Sequence, residues 1–207
     1  MGFYGGFSID SGKMTAVWNR RSVADAKKGI SQNAGLYYAC CSDSETGQGE
    51  WTSLKGHGKS LPIVDFGPYS VAEPAQSGDY LSFANHVMTK SGHVVAALTK
   101  NQESFLAVCK SGSTEFQFIP NMPKGYLFTH DDFIYLVGLD DERPCVWSAS
   151  EDTLEWKEAC KVERGPQFSH GASVKSGASI YYLALQKKPN AIDARPLHLF
   201  RFNLQET

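Results

Sequence analysis

The fold is decided by residues 128–156, FTHDDFIYLVGLDDERPCVWSASEDTLEW, which contain two complete strand patterns and the start of a third. Runs rich in β-branched and aromatic residues, 133–137 and 145–148, are separated by turns at 140–142 and 150–152. Short apolar runs bounded by acidic and serine turns are typical of β-strands joined by hairpins. The stretch therefore predicts one antiparallel sheet.

The same pattern recurs along the chain. Turns that precede an apolar strand lie at Gly12, Gly92, Asp132 and Gly177, at spacings of 80, 40 and 45 residues. In both middle repeats an aromatic residue follows its turn by 24 residues. Repeats of this period indicate successive sheet units. We expect four of them, at about 3–56, 79–120, 121–162 and 164–207, in a single domain.

Two segments interrupt the repeats. Residues 57–78 are rich in proline and glycine, which predicts a linker. The first unit is longer than the others, and residues 20–32 predict a short helical insertion in it. The first strand pattern, 2–8, is expected to pair with the last unit, because ring closure removes exposed sheet edges.

Composition narrows the classes of function. The chain has 207 residues, a net charge of −2 and a pI near 6.3, which does not favour nucleic-acid binding. It has no apolar run long enough for a membrane span and no signal-peptide pattern, so cytoplasmic synthesis is expected. The five cysteines form no C-x-x-C pair, and the sequence predicts reduced thiols, no metal and no cofactor.

Sheet units of 40 to 50 residues resemble β-propeller blades. Residues 128–138 resemble a kelch strand without its double glycine, and residues 42–51 and 148–156 resemble degenerate Asp-box hairpins of sialidase-like propellers. The resemblance implies an all-β fold, a small β-propeller or propeller-like array of about four antiparallel blades. Asp boxes are structural turns in that family and imply no catalytic role.

The candidate site residues are His86, His130, His170, Arg143 and Arg195. Each histidine follows a landmark phenylalanine by two or three residues, so equivalent blade positions would bring the three imidazoles towards one channel. That arrangement would suit an anion or ligand site, whereas the alternative is that each histidine is a hydrogen-bonded strand end. The two arginines precede strands in Arg-Pro pairs, which are also explained by strand-entry chemistry.

The sequence contains no intact catalytic motif. Carboxylates are abundant, but they sit in turns, which recruit Asp for backbone hydrogen bonds. We therefore expect no catalytic residues and a non-enzymatic binding or assembly module with other protein subunits as partners. The chain is similar to structural propellers of viral and phage particles, which implies later incorporation into a virion. The alternatives are a glycan-binding, lectin-like propeller and a small sialidase-like hydrolase.

Overall fold

The computed structural model describes residues 2–10, 12–22, 32–63, 65–72, 80–187 and 195–204. The regular elements in these ranges are β-strands and one short 3₁₀ turn, Gly67–Tyr69. The strands are β1 Gly2–Asp10, β2 Lys13–Ser22, β3 Gln32–Cys41, β4 Trp51–Thr52, β5 Gly58–Lys59, β6 Ser70–Ala72, β7 Leu81–Met88, β8 Val94–Lys100, β9 Glu103–Cys109, β10 Gln117–Ile119, β11 Lys124–His130, β12 Phe133–Asp140, β13 Arg143–Ser150, β14 Lys157–Lys161, β15 Phe168–Ser176, β16 Ser179–Gln186 and β17 Leu197–Asn203.

The strands form four antiparallel sheets, which confirms the all-β, propeller-like fold class. Sheet 1 has the order β1-β2-β3-β4-β5, with β6 also on β3. Sheet 2 contains β7–β10, sheet 3 contains β11–β14 and sheet 4 contains β15–β17. The chain divides into two compact units, Met1–Met122 and Pro123–Thr207, so each unit holds two sheets.

Tight hairpins connect the strands as the turn signals predicted. In sheet 3, His130 pairs with Phe133 across Asp131-Asp132, and Asp140 pairs with Arg143 across the next turn. The decisive stretch therefore folds as part of sheet 3, with Ile134, Leu136 and Val137 fully buried. Apolar residues on both faces of β12 explain this burial, because such a strand must be covered on both sides.

Each unit packs its two sheets around an apolar core. In the first unit, Val17 and Leu36 of sheet 1 pack with Leu98 and Ala107 of sheet 2. In the second, Val137 and Val146 of sheet 3 pack with Ile180, Tyr182 and other residues of sheet 4. Because side chains alternate along a strand, Ala16 of β2 faces away from Val17, towards a separate cluster with Tyr37 and Trp51.

Two sequence expectations differ from the structure, and a third falls mostly outside the described residues. Part of the predicted linker belongs to sheet 1: β5 and β6 lie there, and Tyr69 is fully buried, with its hydroxyl donating to the Trp51 carbonyl at 2.9 Å. Strand β1 pairs with β2 rather than with the last sheet, because the turn after Asp10 forms a hairpin between them. Most of the expected helical insertion, 23–31, lies outside the described residues.

No helix in the described ranges is long and apolar enough to cross a membrane.

Candidate functional site

Several polar side chains of the second unit lie where its strands begin or end. The antiparallel order places the β12–β13 turn, the β14–β15 connection, and the ends of β16 and β17 at one edge. Backbone hydrogen bonds join them: Phe168 N donates to Glu142 O at 2.9 Å, and Lys187 N donates to Gln167 O at 2.7 Å. We call this the turn edge, comprising residues 140–143, 161–170, 186–187 and 195–198.

Arg143 holds the turn edge together. Its guanidinium donates from Nη1 to the Gly165 carbonyl and to the Pro166 carbonyl, the second at 3.1 Å. These two carbonyls lie in the β14–β15 connection, so the arginine fixes that loop against the β12–β13 turn. The sequence placed Arg143 among the ligand-binding candidates, and the structure gives it these loop contacts.

Two ion pairs flank Arg143. Lys161 Nζ donates to Asp140 Oδ2 at 2.7 Å, and this hydrogen bond raises the pKa of Lys161. Lys187 Nζ pairs with Glu142 Oε1. Both pairs are partly exposed, where ion pairs contribute little to stability, but they order the turn around Arg143. Sequence reasoning missed both lysines because their partners lie 21 and 45 residues away.

The turn edge also presents exposed polar side chains to solvent. Arg164, His170 and Arg195 are all exposed. His170 Nδ1 lies 3.1 Å from the Ser169 hydroxyl, and His198 Nε2 lies 2.9 Å from Gln186 Oε1. The edge therefore combines two exposed guanidinium groups with an accessible imidazole, which can bind an anion and exchange a proton.

His86 lies elsewhere, inside the core of the first unit. It is 4% exposed, and its Nε2 is 3.0 Å from the Thr15 hydroxyl, whose proton is donated to the Ser8 carbonyl. Burial lowers the pKa of His86 to about 4, so the imidazole is neutral near pH 7. Its Nδ1 is buried without a hydrogen-bond partner among the described residues. This position gives His86 a packing and hydrogen-bonding role between sheets 1 and 2.

The strand register gives the three histidines different positions. His86 is opposite Ala96, two pairs before the last pair of its hairpin, whereas His130 is opposite Phe133 in the last pair. His170 is opposite Leu185 near the start of β15, beside a register shift. His130 and His170 therefore lie at opposite ends of their strands, with His130 Nε2 3.6 Å from Asp131 Oδ2. The phenylalanine landmark does not mark a common register.

No group of three or more His, Cys, Asp or Glu side chains able to hold a metal occurs in the part of the chain that the structure describes. All five cysteines are free thiols, and burial raises the pKa of Cys145 to about 12. Cys160 is exposed, whereas Cys41, Cys109 and Cys145 are buried.

The first Asp-box-like segment forms a compact turn before Trp51. Asp43 Oδ1 accepts hydrogen bonds from the backbone N–H groups of Glu45 and Thr46, and Trp51 Nε1 donates to the Gly47 carbonyl at 2.8 Å. A hydrogen bond from the Thr46 hydroxyl to Asp43 Oδ2, together with these backbone hydrogen bonds, lowers the pKa of Asp43. The segment is thus a turn that positions an aromatic residue, but no protein-family model matches the chain.

Comparison with known proteins points to polysaccharide lyases. The chain is 30% identical over 221 residues to the long isoform of ulvan lyase from Pseudoalteromonas sp. (strain PLSV), an alignment that covers 96% of this chain and 21% of that protein. The chain thus spans about a fifth of the length of the long ulvan lyases that it matches.

Solved structures share the fold. The polysaccharide lyase Uly1 superposes with a TM-score of 0.71 and 22% identity, over 98% of this chain and 46% of that one. A PL25 ulvan lyase bound to -[GlcA(1-4)Rha3S]- superposes with a TM-score of 0.66 and 11% identity, over 97% of this chain and 51% of that one.

These findings correct the functional expectation from sequence. The prediction of a non-enzymatic assembly module of a virion or phage tail is wrong, because the relatives that match 96% of the chain are named as ulvan lyases. The viral resemblance has no support among these proteins, whereas the propeller-like all-β class agrees with the solved structures. The error arose because strand repeats report architecture, and architecture does not specify function.

Proposed function

We propose that this chain forms part of the catalytic structure of a polysaccharide lyase. The substrate is ulvan or a similar polysaccharide that bears uronate and sulfate groups. The observation that carries the proposal is the alignment of 96% of the chain with ulvan lyases. The sugar -[GlcA(1-4)Rha3S]- bound to the PL25 enzyme supplies the substrate chemistry, since it contains a uronate and a sulfated deoxy sugar.

A lyase cleaves such a chain by β-elimination. A base removes the proton on the carbon next to the uronate carboxylate, and the electron pair forms a double bond as the glycosidic oxygen on the adjacent carbon departs with a proton. No water is consumed. The site must therefore neutralise the carboxylate, which stabilises charge on the proton-losing carbon, and must place a proton acceptor beside it.

The turn edge offers these groups. Arg164 and Arg195 are exposed guanidinium groups, and a guanidinium can bind a carboxylate or a sulfate in a bidentate manner. His170 is an exposed imidazole of the same turn edge, and its Nδ1 lies 3.1 Å from the Ser169 hydroxyl, which leaves Nε2 for the substrate. In this proposal the two arginines bind the anionic sugar and His170 exchanges the proton, while Arg143 positions the loop.

The test is a lyase assay on purified ulvan. The formation of the unsaturated uronate is followed by ultraviolet absorbance, and binding is followed separately by calorimetry. We expect Arg164→Ala and Arg195→Ala each to lower kcat/KM about tenfold or more, equivalent to about 1.4 kcal/mol of lost transition-state binding. We expect His170→Gln to lower kcat with a smaller effect on KM.

Lys110→Ala is the matched control, because Lys110 is an exposed cation of the first unit and is not one of the turn-edge residues. It should leave kcat/KM unchanged. If the chain binds ulvan but forms no unsaturated product, the catalytic proposal is wrong and the lectin-like alternative is favoured. Unchanged activity in all three turn-edge variants would exclude this edge as the site.

A further inference from the structure

A cavity of about 300 Å³ lies in the first unit, at the end of sheet 2 where β8 turns into β9. Its lining includes Lys100, Glu103, Phe105, Phe118 and Asn121. We call this cavity the sheet-2 pocket. It shares no residue with the turn edge, so the lyase chemistry proposed above makes no use of it.

The strand register places the pocket side chains on one face of sheet 2. Lys100 is directly opposite Glu103, and Phe105 follows Glu103 by two residues on β9. Phe118 on β10 is opposite Ala107, which follows Phe105 by two residues. Because side chains two residues apart point to the same side of a strand, the ion pair partners and both rings share a face. The two rings meet edge-on, with 5.7 Å between their centroids.

Backbone hydrogen bonds fix both sides of the pocket. Met122 N donates to the Ser104 carbonyl at 3.1 Å, which holds the segment after β10 against β9, and Asn121 in that segment has a φ of 59°. At the β8–β9 turn, Asn101 N donates to the Tyr80 carbonyl at 3.1 Å, and Tyr80 N donates to Asn101 Oδ1 at 2.9 Å. A site whose walls are fixed in advance loses less entropy when it binds a ligand.

The pocket combines an exposed aromatic ring with polar side chains. Phe118 is 42% exposed, and Glu103 and Asn121 are also exposed. Ligand pockets place a few convergent polar groups among apolar and aromatic walls. The larger cavity of the same unit, about 540 Å³, is lined by residues without a charged, amide or hydroxyl side chain. The smaller cavity therefore has the composition of a site for a polar ligand.

The polar set suits hydroxyl groups. The Glu103 carboxylate accepts hydrogen bonds, the Lys100 ammonium donates them, and the Asn121 amide does both. Since Lys100 and Glu103 carry opposite charges, the pocket has no net charge with which to attract a sulfate or a carboxylate. A pyranose ring has an apolar C–H face that packs on an aromatic ring, and its hydroxyl groups both donate and accept. The volume is at the lower limit for ligand pockets, which suits one or two sugar rings.

We propose that the sheet-2 pocket is a second sugar-binding site, in which a pyranose ring stacks on Phe118 and its hydroxyl groups bind Glu103 and Asn121. That this ring belongs to ulvan or a similar polysaccharide rests on the proposed function. The pocket occupies in sheet 2 the position that the turn edge occupies in sheet 3, since each lies at the turn between the second and third strands and at the segment after the fourth. It binds the polysaccharide but takes no part in cleavage.

The test locates the bound sugar directly. Size-fractionated ulvan oligosaccharides are titrated into the ¹⁵N-labelled chain, and the amide signals of residues 103–105, 117–119 and 121–122 are expected to shift. Phe118→Ala and Asn121→Gly should each weaken the binding read from these signals by about tenfold and leave kcat unchanged. Glycine adopts positive φ without strain, so Asn121→Gly removes the amide while the backbone conformation is retained.

Salt and sulfate distinguish this site from one that binds anionic groups. Binding at the sheet-2 pocket should change by less than about twofold when the salt concentration is raised, because salt screens contacts between exposed charges. Chemically desulfated oligosaccharides should also bind there. Binding that disappears without sulfate would overturn the proposal, because it would show an anion site.

Phe7→Ala is the matched control, because Phe7 is a 71% exposed phenylalanine of the same unit that lines the larger cavity. It should leave binding at the sheet-2 pocket unchanged. Circular dichroism establishes that each variant folds, and the wild-type titration tests the site even where a variant does not. Ulvan oligosaccharides that leave the pocket amides unshifted would overturn the proposal, whether or not the chain forms unsaturated product. Shifts at the pocket without unsaturated product would support the sugar site and contradict the lyase proposal.

Discussion

His86 is a titratable side chain that the fold keeps neutral. Its imidazole is 4% exposed and hydrogen-bonded to Thr15, and burial lowers its pKa from 6.5 to about 4. Between these values the unfolded chain binds a proton that the folded chain does not. The free energy of unfolding therefore falls as the pH falls from 6.5 towards 4. The full effect of this group is on the order of 3 kcal/mol.

We expect His86→Gln to remove this component of the pH dependence. Urea unfolding midpoints of the wild type and the variant, each measured at about pH 7 and about pH 5, separate it from the other titrating groups. The midpoint of the wild type should fall further than that of the variant. His170→Gln, at an exposed position, is the matched control and should behave as the wild type. An equal fall in all three proteins would contradict the neutral buried state of His86.

At the scale of elements, the hairpin turns carry strain that glycine can relieve. Asn101 and Gln102 connect Lys100 and Glu103, and both have positive φ, 49° and 77°. Two-residue hairpin turns with two positive φ values favour Asn-Gly, because glycine has no Cβ to oppose the left-handed region. Gln102 therefore occupies a glycine position.

Gln102→Gly is expected to raise the free energy of unfolding by about 1 kcal/mol. A residue with a Cβ is destabilised by about 1–2 kcal/mol in the left-handed region, and glycine relieves this strain but loses more conformational entropy on folding. Thermal and urea unfolding measure it. Lys110→Gly is the control, because Lys110 is exposed and does not have a positive φ, and it should be neutral or destabilising. A loss of stability in Gln102→Gly would show that the turn does not strain its second residue.

The elements also show which features of the fold can be predicted from the sequence pattern. Hydrophobic runs and turn residues located β12 and β13 because local chemistry specifies a hairpin, with Asp141 and Glu142 in left-handed conformations. The pairing of β5 and β6 with sheet 1 was missed, because those strands are only two and three residues long and β6 pairs with the distant strand β3. The contacts of Arg143 with residues 165–166 also depend on tertiary structure, so the turn edge was only partly predictable from its residues.

For the whole molecule, the division into Met1–Met122 and Pro123–Thr207 raises the question of whether stability is shared. The sequence predicted one domain of four units. Leu98 is 2% exposed in the core of the first unit, and Ile180 is fully buried in that of the second. Truncating either residue to alanine should cost about 2–5 kcal/mol, through lost apolar burial and the cavity left behind.

If each unit has its own cooperative core, the two substitutions act locally. Ile180→Ala should accelerate amide hydrogen exchange in residues 123–204 and leave residues 2–122 near the wild-type rate. Leu98→Ala should do the reverse. The reason is that exchange reports the opening free energy of the cooperative unit that contains each amide. Mass spectrometry of peptic fragments measures the exchange of both units in one experiment, and each variant is the control for the other. Acceleration of both units by either substitution would instead show a single cooperative domain. In the expected result, the unit without the substitution retains its protection from exchange, because its own two-sheet core is intact.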